Sequence, residues 1–214
     1  MRSALTVALI GIVAAGAVVG GAAAQESGTL FHFGTHTKHT NIAFVSEAEI
    51  ETIHGTTNEM SGTFLVSFDE LKGKTNLTIP VAGLRTGIET RDEHLRSDTW
   101  LDAANHPDIT LTSSDIALTV KDADRGIYTA KLKGKLTIHG VTKERDLDAT
   151  VVRLPQAATK GLGEGEWVKV TSRFDVKLAD HDVKIPAPQV APKVSEVWSV
   201  SFSAFATTTA PRER

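Results

Sequence analysis

From Gly28 onward apolar and polar residues alternate with a period of two, and Gly, Asp, Asn or Pro interrupts the alternation about every ten residues. This is the grammar of β-strands joined by hairpins. Phe64, Val66 and Phe68 fall on one face of a strand. Leu77, Ile79 and Val81 do the same in the next, which ends near Pro80 and Gly83. Ile109 and Leu111 follow, then Ile116, Leu118 and Val120. Over residues 127–139 the pattern points Leu132, Leu136 and Ile138 inward and Lys131, Lys133 and Lys135 outward, and Leu147, Ala149 and Val151 continue it. After a loop at 155–165, residues 167–178 set Val168, Val170, Phe174, Val176 and Leu178 on one side. A second loop, 186–193, contains Pro186, Pro188 and Pro192 and cannot sit inside a sheet. The last strand carries Trp198, Val200 and Phe202, for about eight strands in all.

One segment breaks this rhythm. Thr90-Arg-Asp-Glu93 reads as a capping box and predicts a short helix over 90–98, with His94, Leu95 and Asp98 near one side. Trp100, Leu101 and the turn Asn105-His106-Pro107 follow it. A single short helix among many strands suggests a plug or lid. Antiparallel strands with one apolar face hide it by packing two sheets or by closing one sheet into a barrel, and periodicity alone does not choose. An eight-stranded barrel leaves room for side chains or for one small ligand.

The N-terminus differs from the rest. Arg2 precedes an apolar run over 4–19 and the small residues 20–24, the outline of a secretory signal peptide cleaved after Ala24. The alternative is an uncleaved anchor, but the run is short for a spanning helix and rich in Ala and Gly. The expected organisation is a signal peptide at 1–24, one domain at 25–206 and a disordered tail at 207–214. The formal net charge of −3, one more negative once Arg2 leaves, argues against a nucleic-acid partner. With no cysteine, neither disulfides nor thiolate metal sites hold the fold, so apolar burial must do so.

Two blocks carry a family resemblance. Gly87-Ile-Glu-Thr-Arg-Asp-Glu-His-Leu-Arg-Ser-Asp-Thr-Trp-Leu-Asp102, followed by Asn105-His-Pro107 and Ile109-Thr-Leu-Thr-Ser113, resembles the signature of the YceI-like family. Gly134-Lys-Leu-Thr-Ile-His-Gly-Val-Thr-Lys143 is similar to that family's second block, and the two lie in the expected order. Trp100 stands where the family usually has Phe, and His106 where it often has Tyr. The resemblance implies an all-β fold, a single antiparallel lipocalin-like β-barrel, periplasmic or secreted, that holds a polyisoprenoid or similar long-chain lipid, with a quinone among the candidates.

It further implies that Arg91 and Asp92 fix the helix against loops while Leu95, Trp100 and Leu101 cap or line a cavity. A branched apolar chain would need a tunnel walled by residues such as Phe44, Phe64, Phe68, Leu95, Ile109, Leu111, Leu136, Ile138 and Phe174. The same side chains could instead fill a solid core, because core and pocket share a composition. No cofactor is expected beyond the lipid itself. The reading leaves room for transient contact with a membrane or a lipid-delivering protein, and for a homodimer.

An alternative function is metal binding in the periplasm by His32, His36 and His39, which a turn could gather with Glu47 or Glu49. A solvated polar strand accounts for the same residues, since no further His or Cys spacing supports a closed site. Asp92, His94 and Ser97 do not make a hydrolase triad, because residues so close on one short helix cannot line up a nucleophile, base and orienting acid. Asp122 and Asp124 read as turn formers. An enzymatic role is not expected.

Overall fold

A computed structural model describes residues 27–34, 39–185 and 187–211. The signal segment, His36 and Pro186 lie outside the described residues. In chain order the strands are β1 (Thr29–Phe33), β2 (Asn41–Glu47), β3 (Thr52–Thr57), β4 (Ser61–Ser67) and β5 (Lys72–Pro80), then β6 (Asp108–Asp122), β7 (Ile127–Ile138), β8 (Val141–Leu154), β9 (Trp167–Lys177) and β10 (Val197–Thr207). Helix α1 (Glu89–Arg96) lies between β5 and β6, and the four-residue α2 (Gln156–Thr159) sits in the segment expected to be a plain loop.

All pairings are antiparallel, in the order β1-β4-β5-β6-β7-β8-β9-β10-β2-β3, and β1 also pairs with β10 through His32 and Thr207. Eight strands therefore close a lipocalin-like barrel, and the β2–β3 hairpin continues from β10 as two strands beyond the eight expected. At its far edge Thr56 exchanges backbone hydrogen bonds with Arg85, which ties the hairpin to the segment after β5.

The alternation reads directly onto β7, where Ala130, Leu132, Leu136 and Ile138 are buried and the intervening lysines are exposed. His139 and Gly140, both at positive φ (51° and 73°), form the two-residue turn into β8, whose twist matches that of the strands. In β6 two runs that look separate in sequence are one strand. A bulge between Thr112 and Asp115 reverses its parity, so Leu111 above it and Ile116 and Leu118 below it all face inward. The Ser113 hydroxyl donates to the carbonyls of Lys133 and Asp115 and stitches this irregularity to β7. Val120 keeps the face of Leu118 but, near the β6–β7 turn, is 46% exposed.

The wall is incomplete between β8 and β9. Their pairing runs only from Leu154 and Trp167 to Ala149 and Ser172. Beyond that point the strands part, spanned by Ser172 Oγ donating to the Asp148 carbonyl (2.6 Å) and Arg145 Nη2 donating to the Asp175 carbonyl (2.5 Å).

One end of the barrel, the floor, carries the β4–β5 and β6–β7 turns and the β8–β9 connection. Phe31, Val66, Leu118, Val168, Ala204 and Ala206 are buried there, with Trp167 beside them. Thr207, expected to open the tail, is fully buried in β10. Beyond it the Thr208 amide donates to the Glu166 carbonyl and the Thr209 hydroxyl to that of Glu164.

The other end, the mouth, is roofed by a 3₁₀ turn (Val81–Gly83), α1, and the segment between β9 and β10. The capping box expected at Thr90 does not form. The first helical bond, from the Asp92 amide to the Ile88 carbonyl, starts the helix at Glu89, which puts Thr90 inside the first turn. Asp92, 5% exposed, reaches back instead and accepts hydrogen bonds from the amide and hydroxyl of Thr86, both at 2.6 Å. Burial alone would raise its carboxyl pKa, but these two bonds, with the charges of Arg96 and Arg85, hold it below the ordinary aspartate value. Arg91 pairs with Glu51 beside β3. Arg91 and Asp92 thus fix the helix against neighbouring segments, as the resemblance implied.

Candidate functional site

Inside the barrel, between floor and mouth, is a cavity of about 150 Å³. It exists because inward positions of nearly every strand converge on it. Phe44, Phe64, Leu101, Ile109, Leu111, Leu136, Ile138 and Phe174, all expected at such a site, line it. Three lining side chains carry a polar atom, Thr75, Ser172 and Trp198. Each of those atoms is engaged by a backbone carbonyl: Thr75 Oγ1 donates to Thr63 (2.8 Å), Ser172 Oγ to Asp148 (2.6 Å) and Trp198 Nε1 to Ser195 (3.0 Å). The wall therefore offers a guest apolar contact and no uncommitted side-chain donor.

A second, outer cavity of about 470 Å³ lies between α1, the β2–β3 hairpin and the segment before β10. Leu95 and Trp100, expected to cap or line a cavity, line this one rather than the inner one. Its rim is mixed, with Ile53, Ile88 and Val194 beside Glu51, Arg91, His94 and Lys193. Phe44 and Trp198 line both cavities. Their rings stack at 4.7 Å with 9° between planes and form the partition. Phe44 lies flat across Gly55 of β3, where an added Cβ would fall 2.0 Å from the ring. That glycine makes room for the stack.

Phe68 does not belong to either cavity. It sits just past β4 at the floor, with the Tyr128 ring at 4.9 Å and the Arg153 guanidinium 5.5 Å from its centroid. Its parity is right, but it lies past the end of β4 and packs against the floor cluster instead of the cavity. Sequence reasoning also left out Phe33, Ile42, Trp198, Val200 and Phe202, which line the inner cavity. Trp198, Val200 and Phe202 already shared a face in the alternation, which was the signal available for them.

Of the expected histidine cluster, His32 is half-buried in β1 opposite Thr63 and Thr207, and His39 packs its ring against Phe205 at 5.6 Å. Among the described residues neither forms a metal-ligating group with Glu47 or Glu49. Around α1, Ser97 Oγ donates to the His94 carbonyl and Asp92 is committed to Thr86, so these side chains are not arranged as a triad.

Residues 33–206 match the family model described as YceI-like domain. A UPF0312 protein of Pectobacterium atrosepticum is 30% identical over 161 residues, covering 72% of this chain and 75% of that protein. Among solved structures, Burkholderia cenocepacia BcnA superposes with a TM-score of 0.63 at 21% identity over 80% of this chain and 98% of its own. A polyisoprenoid binding domain from Saccharophagus degradans superposes with a TM-score of 0.61 at 18% identity, covering 85% and 99% respectively. At these identities the two structures speak for the fold.

Proposed function

The chain belongs to the YceI-like family, and on that premise we propose that it carries a long-chain apolar lipid of the polyisoprenoid class, a quinone tail included, in its barrel. The observation that carries this reading is the inner cavity, whose wall is apolar and whose three polar side chains are already bonded to backbone. A buried guest without polar groups leaves nothing unsatisfied there, whereas a sugar or a peptide would lose its hydrogen bonds to water and gain none. The polyisoprenoid binding domain that shares the fold supports the choice of ligand class.

One five-carbon isoprene unit contributes about 3–4 kcal/mol of gross transfer energy, so a few buried units overcome the ordering cost of association. The inner cavity, about 150 Å³, takes a guest of roughly benzene size, close to one such unit. A longer chain therefore runs through both cavities, with Phe44 and Trp198 swung apart. The role is sequestration or transfer: the tail is shielded from water while it crosses an aqueous compartment outside the cytoplasm, to which the leader at 1–24 directs the protein. It is a binding function with no chemical step.

Native mass spectrometry of protein purified from a cell envelope tests this, with the bound fraction extracted and identified. A stoichiometric adduct of prenyl or quinone mass is expected, reduced in Leu136→Trp, which fills the cavity. A clean apo mass that stays clean after incubation with such lipids overturns the reading.

A further inference from the structure

Outside the cavity wall, at the mouth, the β7–β8 turn meets the segment that follows α1. One ligand atom from each of Asp102, His106 and His139 lies within 4.8 Å of the others. All three residues are half-buried. The Asp102 carbonyl accepts the amides of Asn105 (3.1 Å) and His106 (2.7 Å), a tight turn that folds the imidazole back toward the carboxylate. Asn105 Nδ2 donates to both Asp102 oxygens (3.1 and 2.9 Å) and sets their plane, leaving lone pairs on each. His139 meets His106 edge-on, with centroids 5.1 Å apart and 79° between planes. Gly140 leaves space for this, since a Cβ there would fall 2.5 Å from the His106 ring.

The surroundings also orient His139. Its Nδ1 lies 3.3 Å from the backbone carbonyl of His181, a fully buried residue whose own Nδ1 is 2.9 Å from the Val141 carbonyl. Donation from Nδ1–H to that carbonyl fixes the tautomer and turns Nε2 outward as a ligand, the usual support for a metal-bound imidazole.

We propose that Asp102, His106 and His139 form a binding site for a first-row divalent ion of the zinc class. Two imidazoles and one carboxylate suit Zn²⁺ with a fourth position left to water, whereas Mg²⁺ and Ca²⁺ prefer oxygen donors throughout. The site is distinct from the His32, His36 and His39 set. Because Leu101 and Ile138, each next to a ligand, line the inner cavity, a bound ion clamps the roof segment to the barrel rim.

The test is titration of the chelator-stripped protein with Co²⁺ as a spectroscopic probe, followed by Zn²⁺. One saturable equivalent is expected, giving visible d–d absorption of a four- or five-coordinate ion, displaced by Zn²⁺ and retained in His54→Ala. His106→Tyr restores the ring of the family pattern and His139→Asn tolerates positive φ, so both variants should fold, checked by circular dichroism, and lose the band. Asn105→Ala should weaken binding roughly 10–100-fold. A flat titration, a band that survives in His106→Tyr/His139→Asn, or a band lost in His32→Ala/His39→Ala overturns the proposal.

Discussion

The floor and the mouth of the barrel are built from the same alternation and the same residue types, yet one is solid and the other hollow. At the floor Phe31, Val66, Leu118, Val168, Ala204 and Ala206 are all 5% exposed or less, and none lines a cavity. Small and large residues interleave there: Ala206 pairs with Val168 and Ala204 with Val170, so the rings from β1 close the space between strands. At the mouth Leu136, Ile138, Leu178 and Trp198 are nearly as buried but face a void. What covers them is not sheet. It is a helix and loops that pack Leu84, Leu95, Leu101 and Val194 over them and are tied down by a handful of polar contacts: Thr86 to Asp92, Arg91 to Glu51 and Thr56 to Arg85. An alternating pattern thus specifies which way side chains point, and the means of closing each end decides whether they meet.

The sharpest way to break this comparison is to remove a ring at the floor. Phe31→Ala should cost about 3–5 kcal/mol in denaturant unfolding, because a fully buried ring leaves a cavity the strands cannot close; a cost under about 1 kcal/mol would mean the floor is as loose as the mouth. Next comes the roof. Asp92→Ala strands the Thr86 amide and should cost about 2–3 kcal/mol, with the earliest loss of amide-exchange protection confined to α1.

Because the folded pKa of Asp92 is the lower one, its contribution is complete above the unfolded aspartate value of about 3.9 and is lost as pH falls through the folded value. The stability difference between wild type and Asp92→Asn should therefore hold at neutral pH and shrink only below about pH 4. A difference already gone at pH 6 would contradict the buried, hydrogen-bonded carboxylate. The smallest effect on stability belongs to Leu136→Trp, under about 1 kcal/mol, since the larger ring enters existing space. The matched Leu118→Trp at the floor should cost about 1–3 kcal/mol by overpacking. Equal costs at the two positions would erase the distinction.

Much of this fold is legible in sequence where one face meets solvent and the other the interior. In β7 exposed lysines alternate with buried residues, and Leu132, Leu136 and Ile138 face inward as expected, while Ala130 and Gly134, too small to carry an apolar signal, went unplaced. Legibility fails where a backbone feature changes parity or removes a side chain. The β6 bulge makes one strand look like two. In β3 the inward position across from Phe44 is glycine, so a Thr-rich stretch carries Ile53 as its one apolar inward residue and the hairpin goes unread. The helix starts at Glu89, with Asp92 accepting the amide and hydroxyl of Thr86 from before the helix, a contact that local helix propensity does not encode. Phe68 has the right parity but lies past the end of its strand, a distinction set by length and not by pattern. Asp102 and His106 are brought together by a local turn, but His139 joins them only through the β6–β7 pairing and the turn that follows, so sequence spacing alone does not show the three as a group.

The gap between β8 and β9 gives the barrel the mechanics of a split collet. In a fully laced cylinder, strand number and stagger fix the girth. Here the lacing stops at Ala149 and Ser172, and beyond it the side chains of Ser172, Arg145 and, at the far end, His181 span the slit. Spreading the rim about that last pair would leave the ladder bonds in place and would cost only the side-chain ties, Arg145 to Asp175 and His181 to Val141.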